Sequence, residues 1–237
     1  MESTLHQQLK RIWAGPAAQC EVRLGKFIID AVVDGELVEI QHGSLLAIRD
    51  KIAQLLREHP VRVVKPLIYR KQLYKRKTPS GPVYEERQSP KLGTIWDLFA
   101  ELVHFTRVFP HPRLILEVPL IEIAEWRYPG HGRRRRWRKN DFIVQEQRLS
   151  RVEQIIRLNS AADMRELVEA SATQLPRLFH TGDLATQLKI PRWQAQQLAY
   201  VLRHCGCATR QGKAGRAWLH EWTTESAADP PRFPAAA

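Results

Sequence analysis

The sequence predicts an α/β protein with a mixed sheet, followed by a mostly helical region towards the C-terminus. A helix, three strands, a second helix and a fourth strand are indicated in that order within the first 67 residues. Residues 178–222 indicate a helix, a turn, a longer helix and a basic hairpin. With 43% hydrophobic residues the chain can bury a core, which excludes a globally disordered protein.

The first helix is indicated by Leu5, Leu9 and Trp13, which recur at helical spacing before Gly15-Pro16 ends it. The next three β-prone runs predict strands, with Asp34-Gly35, a dipeptide typical of hairpin turns, between the second and third. These strands are expected over residues 21–24, 27–33 and 37–41.

Ser44 is expected to cap the second helix, which ends before His59-Pro60. Residues 61–67 are predicted to form the fourth strand, and the Lys, Pro, Ser and Gly of residues 70–92 indicate a loop or a long exposed hairpin. A first domain of residues 1–128 is completed by two further predicted segments, a helix over 95–108 and an extended segment over 113–125.

The second part of the chain is predicted to be mainly helical. A basic linker, residues 129–150, leads to a helical region, residues 151–225, with helices expected over 152–156 and 164–168. Within it, residues 178–222 predict a winged helix-turn-helix, because a short helix, a Pro-containing turn, a helix over 192–204 and a hairpin follow one another. An ordinary helical packing unit, or a winged helix that binds protein, is the alternative. The tail, residues 226–237, is expected to be disordered.

Charge and cysteine content point to the partner and the compartment. The net charge is +12, and the commonest partner of a cytoplasmic protein with such an extended positive field is nucleic acid. Three cysteines form no even disulfide framework, and no apolar run approaches the roughly 20 residues of a membrane helix. We therefore expect a cytoplasmic protein with DNA as its partner and no membrane; nothing in the sequence separates RNA from DNA.

Most of the excess charge lies in two runs, residues 61–77 and 133–139. Aromatic residues within these runs, Tyr69, Tyr74 and Trp137, favour nucleic-acid binding over two simply solvated loops, because their rings could stack on bases. The candidate phosphate-binding residues of the runs are Arg70, Lys71, Lys75, Arg76, Lys77, Arg133, Arg134, Arg135, Arg136 and Arg138. In a DNA-bound winged helix, the major groove would be met by Arg192, Gln194 and Gln196, and a phosphate by Lys213 and Arg216.

Two carboxylates are candidates for chemistry. A hairpin centred on Asp34-Gly35 pairs positions whose numbers sum to about 69, which places Asp30 opposite Glu39. Alternation along a strand places Glu39 and Gln41 on one side. Two such close carboxylates repel each other unless a cation lies between them, and Mg²⁺ prefers oxygen ligands. The alternative is an exposed edge hairpin with ordinary surface acids.

These residues carry a resemblance. Asp30 followed by Leu37-Val38-Glu39-Ile40-Gln41, within the order α-β-β-β-α-β, resembles the PD-(D/E)xK nuclease superfamily, which has a restriction-endonuclease-like core. More narrowly, the stretch is similar to bacterial members whose last motif ends in Gln. The resemblance covers residues 1–70 and extends towards residue 125.

The resemblance implies a set of roles. Asp30 and Glu39 match the acids that bind Mg²⁺ or Mn²⁺, and the backbone carbonyl of Ile40 matches a further metal ligand. Gln41 stands where a lysine usually activates the attacking water, and Glu2 matches an acid that completes the site in some members. Many nucleases of this fold act as dimers, so a homodimer is also expected.

Gln41 departs from the pattern, because a neutral amide positions a water or a phosphate oxygen but takes no proton. Lys51 on the second helix is a candidate to compensate, at the border of the apolar stripe; the alternative for Lys51 is a surface lysine. The expected function is a divalent-metal-dependent DNA endonuclease, or a nuclease-fold protein of DNA processing, repair or defence. Its alternative is a catalytically inactive nuclease-fold protein that binds DNA as a regulator or adaptor, which Gln41 favours.

Overall fold

The computed structural model describes residues 3–16, 18–130 and 141–223. The predictions for Glu2, for the tail and for the arginines of the second basic run lie outside the described residues; those arginines are Arg133, Arg134, Arg135, Arg136 and Arg138.

The first six major elements follow the predicted order. Helix α1 (Thr4–Ala14) begins at Ser3, whose side chain accepts a hydrogen bond from the backbone N–H of His6. It ends at Gly15, where φ is +73° and a residue without a Cβ is favoured. The following elements are β1 (Gln19–Leu24), β2 (Phe27–Val33), β3 (Glu36–Ile40), a short 3₁₀ helix (Leu45–Ile48), α2 (Arg49–Leu55) and β4 (Val61–Val64).

The hairpin between β2 and β3 has the predicted register. Its backbone partners are Ala31 with Val38, Val32 with Leu37, and Val33 with Glu36. Asp34 and Gly35 both have positive φ, +49° and +82°, as the tightest hairpin turns require.

The basic segment after β4 forms a hairpin, one of the two predicted alternatives. Its strands are β5 (Leu67–Arg76) and β6 (Val83–Gln88). A 3₁₀ turn (Ile95–Asp97) and α3 (Leu98–Leu102) stand where one longer helix was predicted, and β7 (Leu114–Pro129) includes the predicted extended segment. β7 runs parallel to β5.

The described residues form one mixed eight-stranded sheet, together with a separate two-stranded one. The strand order of the large sheet is β1-β2-β3-β4-β7-β5-β6, and β8 (Phe142–Leu158) pairs with β7. The protein is therefore α/β with a mixed sheet, as predicted. None of the described helices is long and apolar enough to cross a membrane.

The helix predicted over residues 152–156 is wrong, since these residues belong to β8. Val152, Ile156 and Leu158 are separated by even numbers of residues and are less exposed than the residues next to them, as expected for one face of a strand, whose side chains alternate with a period of two. Residues 142–150 of the predicted linker also lie in β8.

The C-terminal elements are α4 (Ala161–Ser171), α5 (Thr181–Gln187), α6 (Arg192–His204), β9 (Ala208–Ala214) and β10 (Ala217–Trp222). Helix α6 has the predicted bounds, and Gly206 after it has φ of +78°. β9 and β10 form the predicted antiparallel hairpin.

The chain divides into two compact units whose segments alternate along the sequence. The first holds the described residues of Met1–His42, Val64–Ile95 and Val118–Ile156, and the second those of Gly43–Val63, Trp96–Glu117 and Arg157–Ala237. In the first unit, Leu5, Leu9 and Trp13 of α1 pack in one core cluster with Val38 and Ile40 of β3. In the second, the C-terminal helices pack on the α3 segment: the thiol of Cys205 donates to the carbonyl of Phe109, at 3.3 Å.

Candidate functional site

Asp30 lies where the backbone pairing of β2 with β3 ends. The last observed pair is Ala31 with Val38, and beyond it the Asp30 carboxylate accepts the backbone N–H of Ile40 through Oδ2, at 2.8 Å. This bond takes the place of a strand-to-strand hydrogen bond, and it fixes the carboxylate beside the residue that follows Glu39.

Helix α1 brings two basic side chains to the other oxygen of Asp30. His6 Nε2 lies 3.5 Å and Lys10 Nζ 3.8 Å from Oδ1. They are four residues apart and so share one face of the helix. Burial on its own would raise the pKa of Asp30, but the hydrogen bonds from His6 and the Ile40 amide, with the charge of Lys10, hold that pKa below its ordinary value. Asp30 is therefore a carboxylate at neutral pH.

Lys10 also binds a second carboxylate, Glu21, with Nζ 3.1 Å from Oε1. Glu21 lies between Cys20 and Val22, whose partners on β2 flank Asp30, so Glu21 and Asp30 occupy neighbouring positions on adjacent strands. Its backbone φ is +54°, an uncommon conformation for a residue other than glycine. The buried Lys10 thus forms ion pairs with both Glu21 and Asp30.

Glu39 and Gln41 extend the site along β3. Glu39 is 8% exposed, in the middle of the sheet, where a carboxylate is costly to bury. Gln41 follows the end of β3 and is tied to β4 by the hydrogen bond from its backbone N–H to the carbonyl of Val64, at 2.9 Å. Three acidic residues on consecutive strands, Glu21, Asp30 and Glu39, with His6 and Lys10, define the acidic site.

A second buried lysine lies beside the end of β3. Lys65 is 4% exposed, and its ammonium group donates to the carbonyl of His42 at 3.2 Å. Burial lowers the pKa of His42, and the positive charges of Lys65 and Lys71 and the nearby His6 lower it further. The segment that follows Glu39 therefore lies in a positive field, which favours an anionic ligand.

Of the predicted site, the structure joins Asp30 to the backbone N–H of Ile40, the residue between Glu39 and Gln41. Lys51 is on α2 and belongs to the other compact unit, whereas the lysine in contact with Asp30 is Lys10. The sequence did contain a signal for His6 and Lys10 as site residues: they are four positions apart and lie beside the apolar stripe of α1.

The acids offer Mg²⁺ a suitable kind of ligand. Among residues 3–16, 18–130 and 141–223, no three His, Cys, Asp or Glu side chains lie close enough to hold a metal ion. Mg²⁺ keeps several waters and is commonly bound through one or two carboxylates, which is the chemical type of the predicted ligands Asp30 and Glu39. The predicted ligands are therefore of a type that Mg²⁺ accepts, and Lys10 and His6 would compete with the ion for Oδ1 of Asp30.

The first basic run is largely paired with acids. Arg70 lies 3.6 Å from Glu122, and the ammonium groups of Lys71 and Lys75 lie 2.8 and 2.7 Å from Glu125 and Glu85. Arg76 donates to the Pro79 carbonyl, and Lys77 is exposed. Tyr74, expected to stack on bases, stacks on Trp126 at 4.8 Å between ring centroids. Little of the charge of this run is thus left for a phosphate.

A second candidate region lies between α6 and the β9–β10 hairpin, where a groove of about 310 Å³ opens. Three of the predicted DNA contacts, Arg192, Gln196 and Arg216, line this groove, and a fourth, Lys213, lies on the hairpin beside it. Gln194 is different: it is 5% exposed and donates to Asp97 at 3.1 Å, so its side chain is not on this surface. We call this region the arginine groove. It is defined by six of its lining residues: Arg192, Tyr200, Arg203, Arg210, Arg216 and Trp218.

The fold and the two regions define an α/β protein with an acidic site on its sheet and a basic groove in its C-terminal elements. The chain belongs to a family described as a domain of unknown function (DUF8091), whose model matches residues 3–159. No curated protein matches the chain, and no solved structure does. The match ends directly after β8, so α4 to β10 lie beyond it.

Proposed function

We propose that the protein is a divalent-metal-dependent nuclease that hydrolyses phosphodiester bonds of DNA at the acidic site. The observation that carries the proposal is the position of Asp30, at the end of the β2–β3 pairing, bonded to the backbone of Ile40 and in contact with Lys10. Support for a restriction-endonuclease-like core comes from the element order α1 to β4 and from the neighbouring strands β1-β2-β3-β4.

In this proposal each residue has a defined task. Asp30 and Glu39, with the Ile40 carbonyl, would hold Mg²⁺, which when bound would supply polarisation of the phosphodiester and activation of water. Lys10 carries the positive charge that Gln41 lacks and stabilises the negative charge that develops on the phosphate oxygens. Gln41 orients the water or a phosphate oxygen through its amide, which can donate and accept hydrogen bonds but takes up no proton.

A second candidate function is favoured by one observation, that both oxygens of Asp30 already have partners within the protein. In that case Lys10 and His6 neutralise a carboxylate inherited from a nuclease fold, and the protein binds DNA without cutting it, as a regulator or adaptor. The basic C-terminal region serves both functions equally well.

Cleavage of plasmid and branched DNA in Mg²⁺ or Mn²⁺ tests the proposal, with an RNA of equal length as a parallel substrate. Asp30→Asn keeps an acceptor for the Ile40 amide, and Glu39→Gln keeps the buried volume, so both variants should fold. We expect each to lose at least about a hundredfold in cleavage rate, equivalent to about 3 kcal/mol, and to retain DNA binding. Glu58→Gln, at a side chain that is 83% exposed, is the matched control and should cut like the parent.

The outcome decides between the two functions. Metal-dependent cutting by the parent and the control alone supports the nuclease. DNA binding by all four proteins without any cutting would overturn it and favour the inactive DNA-binding protein.

A further inference from the structure

The arginine groove gathers its cations from two elements that are adjacent in the second unit. Helix α6 contributes Arg192 and Arg203, and the hairpin contributes Arg210 and Arg216. Within the described part of the chain, none of these four arginines forms an ion pair with an acid. Such a concentration of one sign of charge is unfavourable in the protein alone, and an anionic ligand relieves it.

Aromatic rings hold these cations in place without cancelling their charge. The Arg210 guanidinium and the Lys213 ammonium each lie 4.5 Å from the ring centroid of Trp218, and the Arg203 guanidinium lies 5.8 Å from that of Tyr200. A cation over a ring is attracted by the ring quadrupole and keeps its full charge, whereas a carboxylate would neutralise it. The rings therefore order long side chains in advance and lower the entropy cost of binding.

The two histidines beside the groove respond to the same field. Burial lowers the pKa of His204 and of His220, and both Arg203 and Arg210 lower these pKa values further. Arg203, Arg210 and His220 line the same groove, so the charges of both arginines act on the neighbouring imidazoles.

We propose that the arginine groove binds the phosphate backbone of a nucleic acid, mainly through Arg203 and Arg210, which Tyr200 and Trp218 position. The proposal rests on the proposed function in taking nucleic acid as the partner, and it assigns affinity to phosphate contacts rather than to base reading. Nucleic acid is favoured over an acidic protein because α5, α6 and the β9–β10 hairpin follow one another in the order of a DNA-binding winged helix. Gln196 lines the groove, and Trp193, next to Arg192 on α6, is exposed and could stack on a base.

Binding is measured in EDTA, so that no cutting interferes, with the full chain and fluorescent 20-nucleotide DNA as a single strand and as a duplex. We expect Arg203→Gln/Arg210→Gln to bind about tenfold more weakly or worse, and its slope of log Kd against log salt to fall by about 1 for each arginine removed. The preferred form of DNA identifies whether the backbone is bound as a strand or as a duplex.

Arg177→Gln is the matched control in the same unit, because Arg177 is paired with Glu221 at 2.7 Å. It should leave Kd and the salt slope near those of the parent. Trp218→Leu should weaken binding, and Trp218→Phe should restore most of it, which a merely structural loss would not predict. Saturation with DNA should raise the pKa values of His204 and His220, followed by NMR.

Equal binding by Arg203→Gln/Arg210→Gln and Arg177→Gln would overturn the proposal. So would displacement of the DNA by polyglutamate at an equal concentration of charge, which would indicate an acidic protein partner. The catalytic proposal fails separately, because binding in EDTA requires neither the metal ion nor cutting.

Discussion

The two basic regions that the structure describes hold their charges in opposite ways. On β5, Arg70, Lys71 and Lys75 are each paired with a glutamate. In the arginine groove, Arg203 and Arg210 are held by aromatic rings. In the first region the positive charges are neutralised by ion pairs within the sheet, whereas in the second region the positive charges stay available for a ligand. A run of lysine and arginine in a sequence is therefore a poor guide to positive potential until the acids around it are known.

The largest expected effect concerns the paired region. Glu125 is 3% exposed and accepts hydrogen bonds from Lys71 and Gln147, at 2.8 and 2.9 Å. Glu125→Ala leaves both donors without their acceptor, and we expect a loss of about 2 kcal/mol in the free energy of unfolding. Urea denaturation at pH 7 measures it. Glu85→Ala, at a more exposed pair, should cost clearly less; an equal loss would mean that burial of the pair does not matter.

The contrast also shows what the sequence could predict. The β2–β3 register followed from Asp34-Gly35, and the bounds of α6 from Pro191 before it and Gly206 after it. These signals are local, because a turn residue restricts its own backbone. Strand β8 was missed because it is defined by its pairing with β7, a partner distant in sequence.

The candidate sites divide along the same line. The positions of Asp30 and Glu39 on neighbouring strands followed from the hairpin register. Lys10, Glu21 and Lys65 come from separate elements that meet only in the folded sheet. Gln194 could have been recognised as buried, because it shares the spacing of Leu198 and the other apolar residues of α6. The opposite face carries Gln196, Tyr200 and Arg203, which line the groove.

The second prediction concerns the groove and is a small gain in the free energy of unfolding, opposite in sign to the loss expected for Glu125→Ala. Removing cations from the groove takes away repulsion and no ion pair, so Arg203→Gln/Arg210→Gln should change the free energy of unfolding by no more than about 0.5 kcal/mol, towards greater stability. The comparison is made at low salt, where repulsion is greatest, and again at 1 M NaCl, where the difference should vanish. A loss comparable to that of Glu125→Ala would show that these arginines stabilise the fold and would end the distinction between the two regions.

The smallest expected effect is a pH dependence that the arginines impose on their neighbours. Burial first, and then Arg203 and Arg210, lower the pKa values of His204 and His220 from the ordinary value of 6.5. Below that pH the unfolded chain takes up more protons at these positions than the folded protein does. Stability therefore rises with pH through this window and is lost as pH falls below about 6.5.

The same sign applies to His42 and His111, whose pKa values are also lowered, so the parent protein alone does not isolate the groove. The difference between the parent and Arg203→Gln/Arg210→Gln does, because the variant removes the charges beside His204 and His220, together with the 2.7 Å contact between the Arg203 guanidinium and Nε2 of His204. Thermal unfolding between pH 5 and 7 should give a shallower dependence for the variant, while Arg177→Gln follows the parent. Parallel curves for all three would mean that the two arginines do not act on these imidazoles, and that the groove lacks the concentrated charge on which phosphate binding depends.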